Sequence, residues 1–178
     1  ADTDHSRGET GTTPAPGAEA AEKEAGFIEV EKALAARGGE SMTMEALLRH
    51  VVTRVTDEGL VIEIFDAPGQ PLFQGDTAEP TALARQIGGL LADVLALAEN
   101  RLAVEGHVHS YPVTLRDNPG WDLSAARAQG FRALMEDEGL ADDRAARVTG
   151  HADRKPAVAD PTAIRNNRIE VILLRDDL

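Results

Sequence analysis

The sequence predicts an α/β layered fold, in which helices cover a sheet. Two observations predict it. Strand-like apolar runs alternate along the chain with single helical stripes, which is the order of elements in an α/β layer. The 178 residues are 42% apolar, which is enough for one ordinary core with appendages. Because helices that cross between strands usually join parallel neighbours, at least the early strands are expected to be parallel.

The composition excludes several classes of protein. The formal charge of -13, from 31 acidic and 18 basic residues, argues against a nucleic-acid partner. The absence of cysteine excludes disulfides and thiolate chemistry. No apolar run approaches the roughly 20 residues that span a bilayer. Since the chain begins at Ala1 without a signal segment, we expect a soluble piece of a longer protein.

The N-terminal part divides by composition. Residues 1–26 contain no Val, Ile, Leu, Met or aromatic side chain, which predicts a flexible acidic linker. Residues 27–42 are expected to hold a short helix that ends at the paired glycines Gly38 and Gly39. The folded domain is then expected over residues 43–178, with the preceding helix as an N-terminal extension and the linker as a flexible arm.

The first half of the domain predicts a helix, a strand and a second helix. Apolar residues from Met44 to Val55 recur at three- and four-residue steps, which indicates one helix. The run "LVIEIF", residues 60–65, has the length and composition of a strand. An apolar stripe from Leu83 to Leu95 predicts a helix that starts near Pro80 or Thr81.

The second half repeats this alternation. "RLAVEGHVH", residues 101–109, reads as a strand, and "DLSAARAQGFRALMEDEG", residues 122–139, as a helix capped by Asp122 or Ser124 and ended by Gly139. "ARVTGHAD" and "RIEVILL" supply two further strands, at residues 146–153 and 168–174.

Two Gly-His steps raise the possibility of a metal site. His107, His109, His151 and Asp153 could provide the three or four ligands that zinc needs if the ends of two strands adjoin. The first two histidines alternate along one strand and are therefore expected on the same face. No His-Glu-x-x-His helix supports this set. A metal-binding module or metal-dependent hydrolase remains the alternative to histidines that line the rim of a ligand pocket.

Three ordered blocks resemble one known family. "VEGHVHSYPV", "NPGWDLSAARA" and "IRNNRIEVILL" are similar to the blocks of the OmpA-like peptidoglycan-binding domain. The upstream "VTDEGLVIEIFDAPGQPLF" resembles the branch that anchors flagellar stators. The resemblance covers about residues 43–175. It implies a mixed sheet covered by helices, and a noncatalytic domain without a cofactor.

The resemblance also implies partners and a location. Domains of this branch lie in the periplasm, bind peptidoglycan and anchor the stator to the cell wall so that torque can act on the rotor. They work as homodimers and join a MotA-like stator subunit through a transmembrane helix, which this chain does not show.

The same resemblance implies a set of ligand-binding residues. Arg127, in the expected first turn of its helix, and Arg168, before the last strand, would hold a carboxylate of the peptide stem. Asn167 and Leu123 lie in the same blocks and are included in the site. His109 stands where the family usually has the aspartate that receives the ligand's ammonium group. A neutral imidazole accepts one hydrogen bond, whereas an imidazolium repels an ammonium.

This departure leaves the site short of one negative charge. Gly120 also replaces an asparagine of the family pattern. Asp117 or Asp153 could supply the missing charge from a neighbouring loop, and the sequence does not choose between them.

Overall fold

The computed structural model describes residues 16–175. The first part of the predicted acidic linker, with His5, lies outside this range. The elements, in chain order, are α1 Pro16–Gly38, α2 Met42–Leu48, β1 Val51–Val55, β2 Gly59–Phe65, α3 Ala82–Leu95, β3 Leu102–His107, α4 Gly120–Asp137, β4 Ala145–Gly150, a 3₁₀ turn Ile164–Asn166, and β5 Arg168–Leu174. None of the helices over residues 16–175 has the length and apolar character needed to cross a membrane.

The five strands form one mixed sheet in the order β1-β2-β5-β3-β4. Only β3 and β4 are parallel, and the other three pairs are antiparallel. The expectation that the early strands are parallel was therefore wrong. β1 and β2 are joined by residues 56–58 alone, a connection that is too short for anything but an antiparallel hairpin. The last strand, β5, inserts between β2 and β3.

The helix predicted from Met44 to Val55 is in fact two elements. α2 ends at Leu48 with Arg49 as its C-cap, and Val51–Val55 pairs with β2. The apolar spacing in this stretch fits a helix, but the β-branched run "VVTRV" gains a full ladder of hydrogen bonds beside β2. Val52 and Val55 are 42% and 57% exposed, so they are not the buried stripe that the helix required.

α1 extends further toward the N terminus than predicted. The chain is helical from Pro16, whereas residues up to 26 were expected to be a flexible arm. Its first turns are rich in Ala, Glu and Lys, which favour helix without needing burial. From Phe27 onward one face docks, with Phe27, Val30 and Leu34 all buried. The predicted helix end at the paired glycines is confirmed, because α1 stops at Gly38.

The two faces of the sheet differ in character. One face packs against α3 and α4 through a large apolar core that includes Ile62, Ile87, Phe131 and Leu173. The other, which we call the open face, has only a small apolar group around Ile172. Its other side chains are charged or polar: the buried Glu63, His107, Arg168 and Glu170 and the partly buried Glu105 lie along it. Because side chains alternate along a strand, these residues interleave with the core residues.

The glycines of the two Gly-His steps allow α4 to lie directly on β3 and β4. A Cβ atom at Gly106 would overlap the carbonyl oxygen of Ser124, and one at Gly150 would overlap the backbone nitrogen of Ala125. The Ser124 hydroxyl in turn accepts a hydrogen bond from the amide of Ala152 at 2.9 Å. The glycines therefore face the helix, and the histidines that follow them face away from it.

The predicted start of α4 requires a correction. The helix begins at Gly120 with Pro119 as its N-cap, so neither Asp122 nor Ser124 caps it. The Asn118 side chain accepts a hydrogen bond from the Gly120 amide at 2.8 Å, which satisfies one free amide of the first turn. The predicted stop at Gly139 is confirmed by its φ of 113°, a conformation that favours glycine.

Candidate functional site

The structure gathers three of the predicted ligand-binding residues at one end of the sheet. We call the group the loop-end cluster: Asp66, His109, Tyr111, Arg127 and Asn167. It forms where β2 and β3 end and the long loop before α4 begins. Hydrogen bonds join Asn167 to His109 and Asp66, the rings of His109 and Tyr111 pack together, and the charge of Arg127 interacts with those of Tyr111 and Asp66.

Arg127 is the buried cation of the loop-end cluster. Its guanidinium donates from Nε to the carbonyl of Thr77 at 2.9 Å and from one terminal nitrogen to the carbonyl of Gly75 at 2.8 Å. It also lies over the Phe73 ring, 4.9 Å from the centroid. Burial lowers the pKa of Arg127 from its usual value, while the charges of Tyr111 and Asp66 oppose that shift. Its other terminal nitrogen makes no hydrogen bond to residues 16–175.

The position of Arg127 differs from the expectation in one respect. It lies about two turns into α4 rather than in the first turn, because the helix begins earlier, at Gly120. The free amides of the helix start are therefore too far away to assist anion binding at this side chain. The surrounding loop carbonyls orient the guanidinium instead.

His109 and Asp66 are connected through Asn167. The Asn167 side chain accepts a hydrogen bond from the His109 amide at 2.8 Å and donates one to Asp66 at 3.2 Å. The His109 ring packs against Tyr111, with 4.6 Å between the centroids. Its Nδ1 lies 2.9 Å from the carbonyl of Ser110. Since a carbonyl can only accept, Nδ1 carries the proton, and in a neutral ring Nε2 is left as an acceptor.

Asp66 is a carboxylate that the sequence reasoning missed. Burial raises the pKa of Asp66 above its usual value, although hydrogen bonds from the Leu72 amide and Asn167 and the charge of Arg127 oppose the shift. A signal was available, because Asp66 directly follows β2 and so lies at a strand end.

Arg168 does not join the loop-end cluster. Its side chain lies on the open face, where Nε contacts Glu63 at 2.9 Å and Glu170 at 3.2 Å. A terminal nitrogen donates to the carbonyl of Lys155 at 2.6 Å. Neighbouring residues of an extended chain point to opposite faces, so Asn167 and Arg168 cannot both face the cluster. Leu123 is buried in α4 and contributes only apolar packing.

The four residues of the predicted metal set do not converge. His107 and His151 stack with 4.8 Å between ring centroids and 12° between planes. His109 belongs to the loop-end cluster, and Asp153 accepts a hydrogen bond from the Ser110 hydroxyl at 2.8 Å. β3 ends at His107, so the alternation that would keep His109 on the same face does not continue.

On the open face, the carboxylates of Glu105 and Glu170 lie beside His107 and His151, in place of His109 and Asp153 of the predicted metal set. Oε1 of Glu105 lies 3.2 Å from Nε2 of His151, and Oε2 of Glu170 lies 3.6 Å from Nε2 of His107. Burial lowers the pKa of His107 below its usual value, and Glu170 partly opposes this. The sequence contained this signal too, since Glu105 is two residues before His107 on the same strand.

Comparison with known proteins identifies relatives of this chain in sequence and in fold. No family model matches it. The sequence is 30% identical to Motility protein B of Escherichia coli (strain K12) over 134 residues, 74% of this chain and 44% of that protein. Its fold resembles the cell wall anchor of the T6SS from Pseudomonas aeruginosa, with a TM-score of 0.61 and 25% identity over 83% of this chain and 97% of that one. It also resembles the periplasmic domain of Helicobacter pylori MotB (residues 78–256), with a TM-score of 0.60 and 16% identity over 71% and 82% of the two chains.

These findings confirm the resemblance that the three sequence blocks predicted. The mixed five-stranded sheet with its covering helices is the fold of an OmpA-like domain. The chain is an OmpA-like domain of the Motility protein B type. It spans about half the length of the curated relatives that it matches, 44% of one Motility protein B and 53% of another.

Proposed function

We propose that this chain is a noncatalytic periplasmic domain that binds the peptide stem of peptidoglycan. As part of a longer stator subunit it would anchor a flagellar motor to the cell wall. Similarity to Motility protein B and to a protein named as a cell wall anchor supports this role. In the longer protein, a transmembrane helix would join a MotA-like subunit, and two copies would form a homodimer.

The observation that carries the proposal is the geometry of Arg127. A buried guanidinium held by two loop carbonyls and an aromatic ring is fixed in position, and one terminal nitrogen is still free of hydrogen bonds to residues 16–175. A fixed guanidinium recognises a carboxylate at a low cost in side-chain entropy. The stem carboxylate is therefore assigned to Arg127, with Asn167 and His109 beside it.

The ammonium group of the ligand needs an acceptor in the same cluster. Nε2 of a neutral His109 accepts one hydrogen bond, and Asp66 supplies a carboxylate one side chain away, across Asn167. Asp66 thus takes the role for which the sequence offered Asp117 or Asp153. Arg168 is assigned to the folding of the open face rather than to the ligand, since Glu63 and Glu170 already hold it.

Co-sedimentation with purified sacculi tests this assignment. We expect Arg127→Ala to weaken binding about ten- to hundredfold, because a charge-assisted hydrogen bond contributes about 1.5–3 kcal/mol. Arg132→Ala is the matched control, since Arg132 lies on the same helix and pairs with Glu136 instead. Arg127→Lys, with thermal unfolding of each variant, separates lost recognition from lost folding. Normal binding by a folded Arg127→Ala variant would show that the loop-end cluster is not the peptidoglycan-binding site.

A second variant tests the role of His109. His109→Asp restores a full negative charge for the ligand ammonium, so we expect stronger retention on sacculi. His109→Ala should have a mild effect. If the Asp variant binds no better at any pH, His109 does not face the ligand.

A further inference from the structure

We infer that the open face of the sheet carries a zinc-type divalent metal site formed by Glu105, His107 and His151. One ligand atom from each of these residues lies within 4.8 Å of the others. Glu105 and His107 come from β3, and His151 directly follows β4, so the three side chains project from two paired strands. The site is separate from the loop-end cluster and does not depend on wall binding.

The ring nitrogens of the two histidines are free to act as metal ligands. His107 is 2% exposed, and neither of its ring nitrogens has a hydrogen-bond partner. Nε2 of His151 is also buried without one. The carboxylate of Glu170 lies 3.6 Å from Nε2 of His107, which is too long for a hydrogen bond, and that of Glu105 lies 3.2 Å from Nε2 of His151 without forming one. Buried polar atoms are nearly always satisfied, so three such nitrogens in one place are available as ligands for a metal ion.

The separations are compatible with coordination after a small closure. Ligand atoms about 2.0–2.2 Å from a tetrahedral zinc lie about 3.3–3.6 Å from one another. Glu105 Oε1 and His151 Nε2 are already 3.2 Å apart. The largest separation in the group, up to 4.8 Å, needs to close by about 1 Å. The side chain of His151 would supply this movement, because its backbone amide is held by the carbonyl of Gly106 at 2.9 Å.

Glu170 completes the surroundings of the site. Its Oε1 is held by Arg54 at 3.1 Å and Arg168 at 3.2 Å, which leaves Oε2 directed at His107. A carboxylate in this position serves a zinc site either as a further ligand or as the hydrogen-bond partner that orients a metal-binding histidine.

The ligand set also favours one class of ion. Two imidazoles with carboxylate oxygens suit zinc and its transition-metal neighbours, whereas calcium and magnesium prefer oxygen ligands alone. Two carboxylates offset the charge of a divalent ion. The bound ion would join the carboxyl ends of β3 and β4 on the face opposite α4.

The test uses the untagged 178-residue chain, stripped with a chelator, incubated with ZnCl₂ and dialysed. We expect one zinc per chain by elemental analysis, a higher melting temperature with zinc, and the intense visible absorption of tetrahedral Co²⁺ when cobalt replaces it. Glu105→Gln and His151→Gln should each weaken zinc binding at least tenfold in calorimetric titration, with metal-free melting temperatures close to wild type.

Two matched controls distinguish this site from general binding to histidine or acid. His50→Gln alters a buried histidine whose ring nitrogens are both already bonded, to Phe65 and Gln70. Glu58→Gln alters a carboxylate on the border of the open face that pairs with Arg147. Both controls should retain one zinc. The inference is overturned if wild-type protein retains no zinc after dialysis, or if the Glu105 and His151 variants retain it as well as the controls do.

Discussion

The docking of α1 can be tested with two neighbouring substitutions. Phe27 is 3% exposed and packs in the main core, whereas Ile28, the next residue of the same helix, is 56% exposed. Phe27→Ala should lower the free energy of unfolding by about 3 kcal/mol, the lower end of the range for a buried phenylalanine, because the site lies at the margin of the core. Ile28→Ala should cost about 0.5 kcal/mol or less.

Urea unfolding followed by circular dichroism measures both values. A domain of this size is stable by about 5–15 kcal/mol, so a difference of about 2.5 kcal/mol between the variants would clearly separate their midpoints at an unchanged slope. Equal midpoints would refute the reasoning, since they would mean that α1 does not dock through the face that carries Phe27.

Two further predictions concern the loop before α4 and the packing of α4 itself. Burial and contact with Asp76 raise the pKa of Tyr111 to about 12. The contribution of neutral Tyr111 to stability should therefore be complete below about pH 10, where a free tyrosine titrates, and be lost as the pH rises toward 12. Because Tyr111 is the sole tyrosine, phenolate absorbance reads it directly, and Asp76→Asn should lower the value; a wild-type value near 10 would contradict the contact. Gly106→Ala should lower the free energy of unfolding by about 1–3 kcal/mol or more, because the new methyl group overlaps the backbone of α4. Gly89→Ala, which meets only a flexible Glu138 side chain at 3.3 Å, should be near neutral, and equal melting temperatures for the two alanine variants would show that α4 does not lie on β3.

Elements with a strong periodic signal were predictable from the sequence. β2, α3 and β5 appear where the patterns placed them, and α3 begins at Ala82, next to the predicted start near Pro80 or Thr81. The structure of the stretch from Met44 to Val55 was not predictable, because its apolar spacing fits a helix whereas the composition of its second half fits a strand. Only the partner strand β2 decides between them, and pairing depends on tertiary structure that local spacing does not contain.

The candidate site was predictable only in part, for a related reason. Arg127, His109 and Asn167 were identified from the resemblance and lie together. Arg168 was identified in the same way, yet its side chain lies on the open face and not in the loop-end cluster. Which face it occupies depends on the register of β5. Asp66, at the end of β2, and Glu105, two residues before His107, could have been noticed from the sequence, but their partners Asn167 and His151 follow only from the pairing of neighbouring strands.

The central position of β5 has a consequence for how the domain forms. β1 and β2 make one half of the sheet, β3 and β4 the other, and only β5 is paired to both halves. During synthesis, each half is therefore left with an unpaired edge at β2 and β3 until residues 168–174 emerge. Closing the sheet brings together segments more than a hundred residues apart, which makes folding slow. The nascent domain remains open, and accessible to chaperones and proteases, until its final strand is inserted.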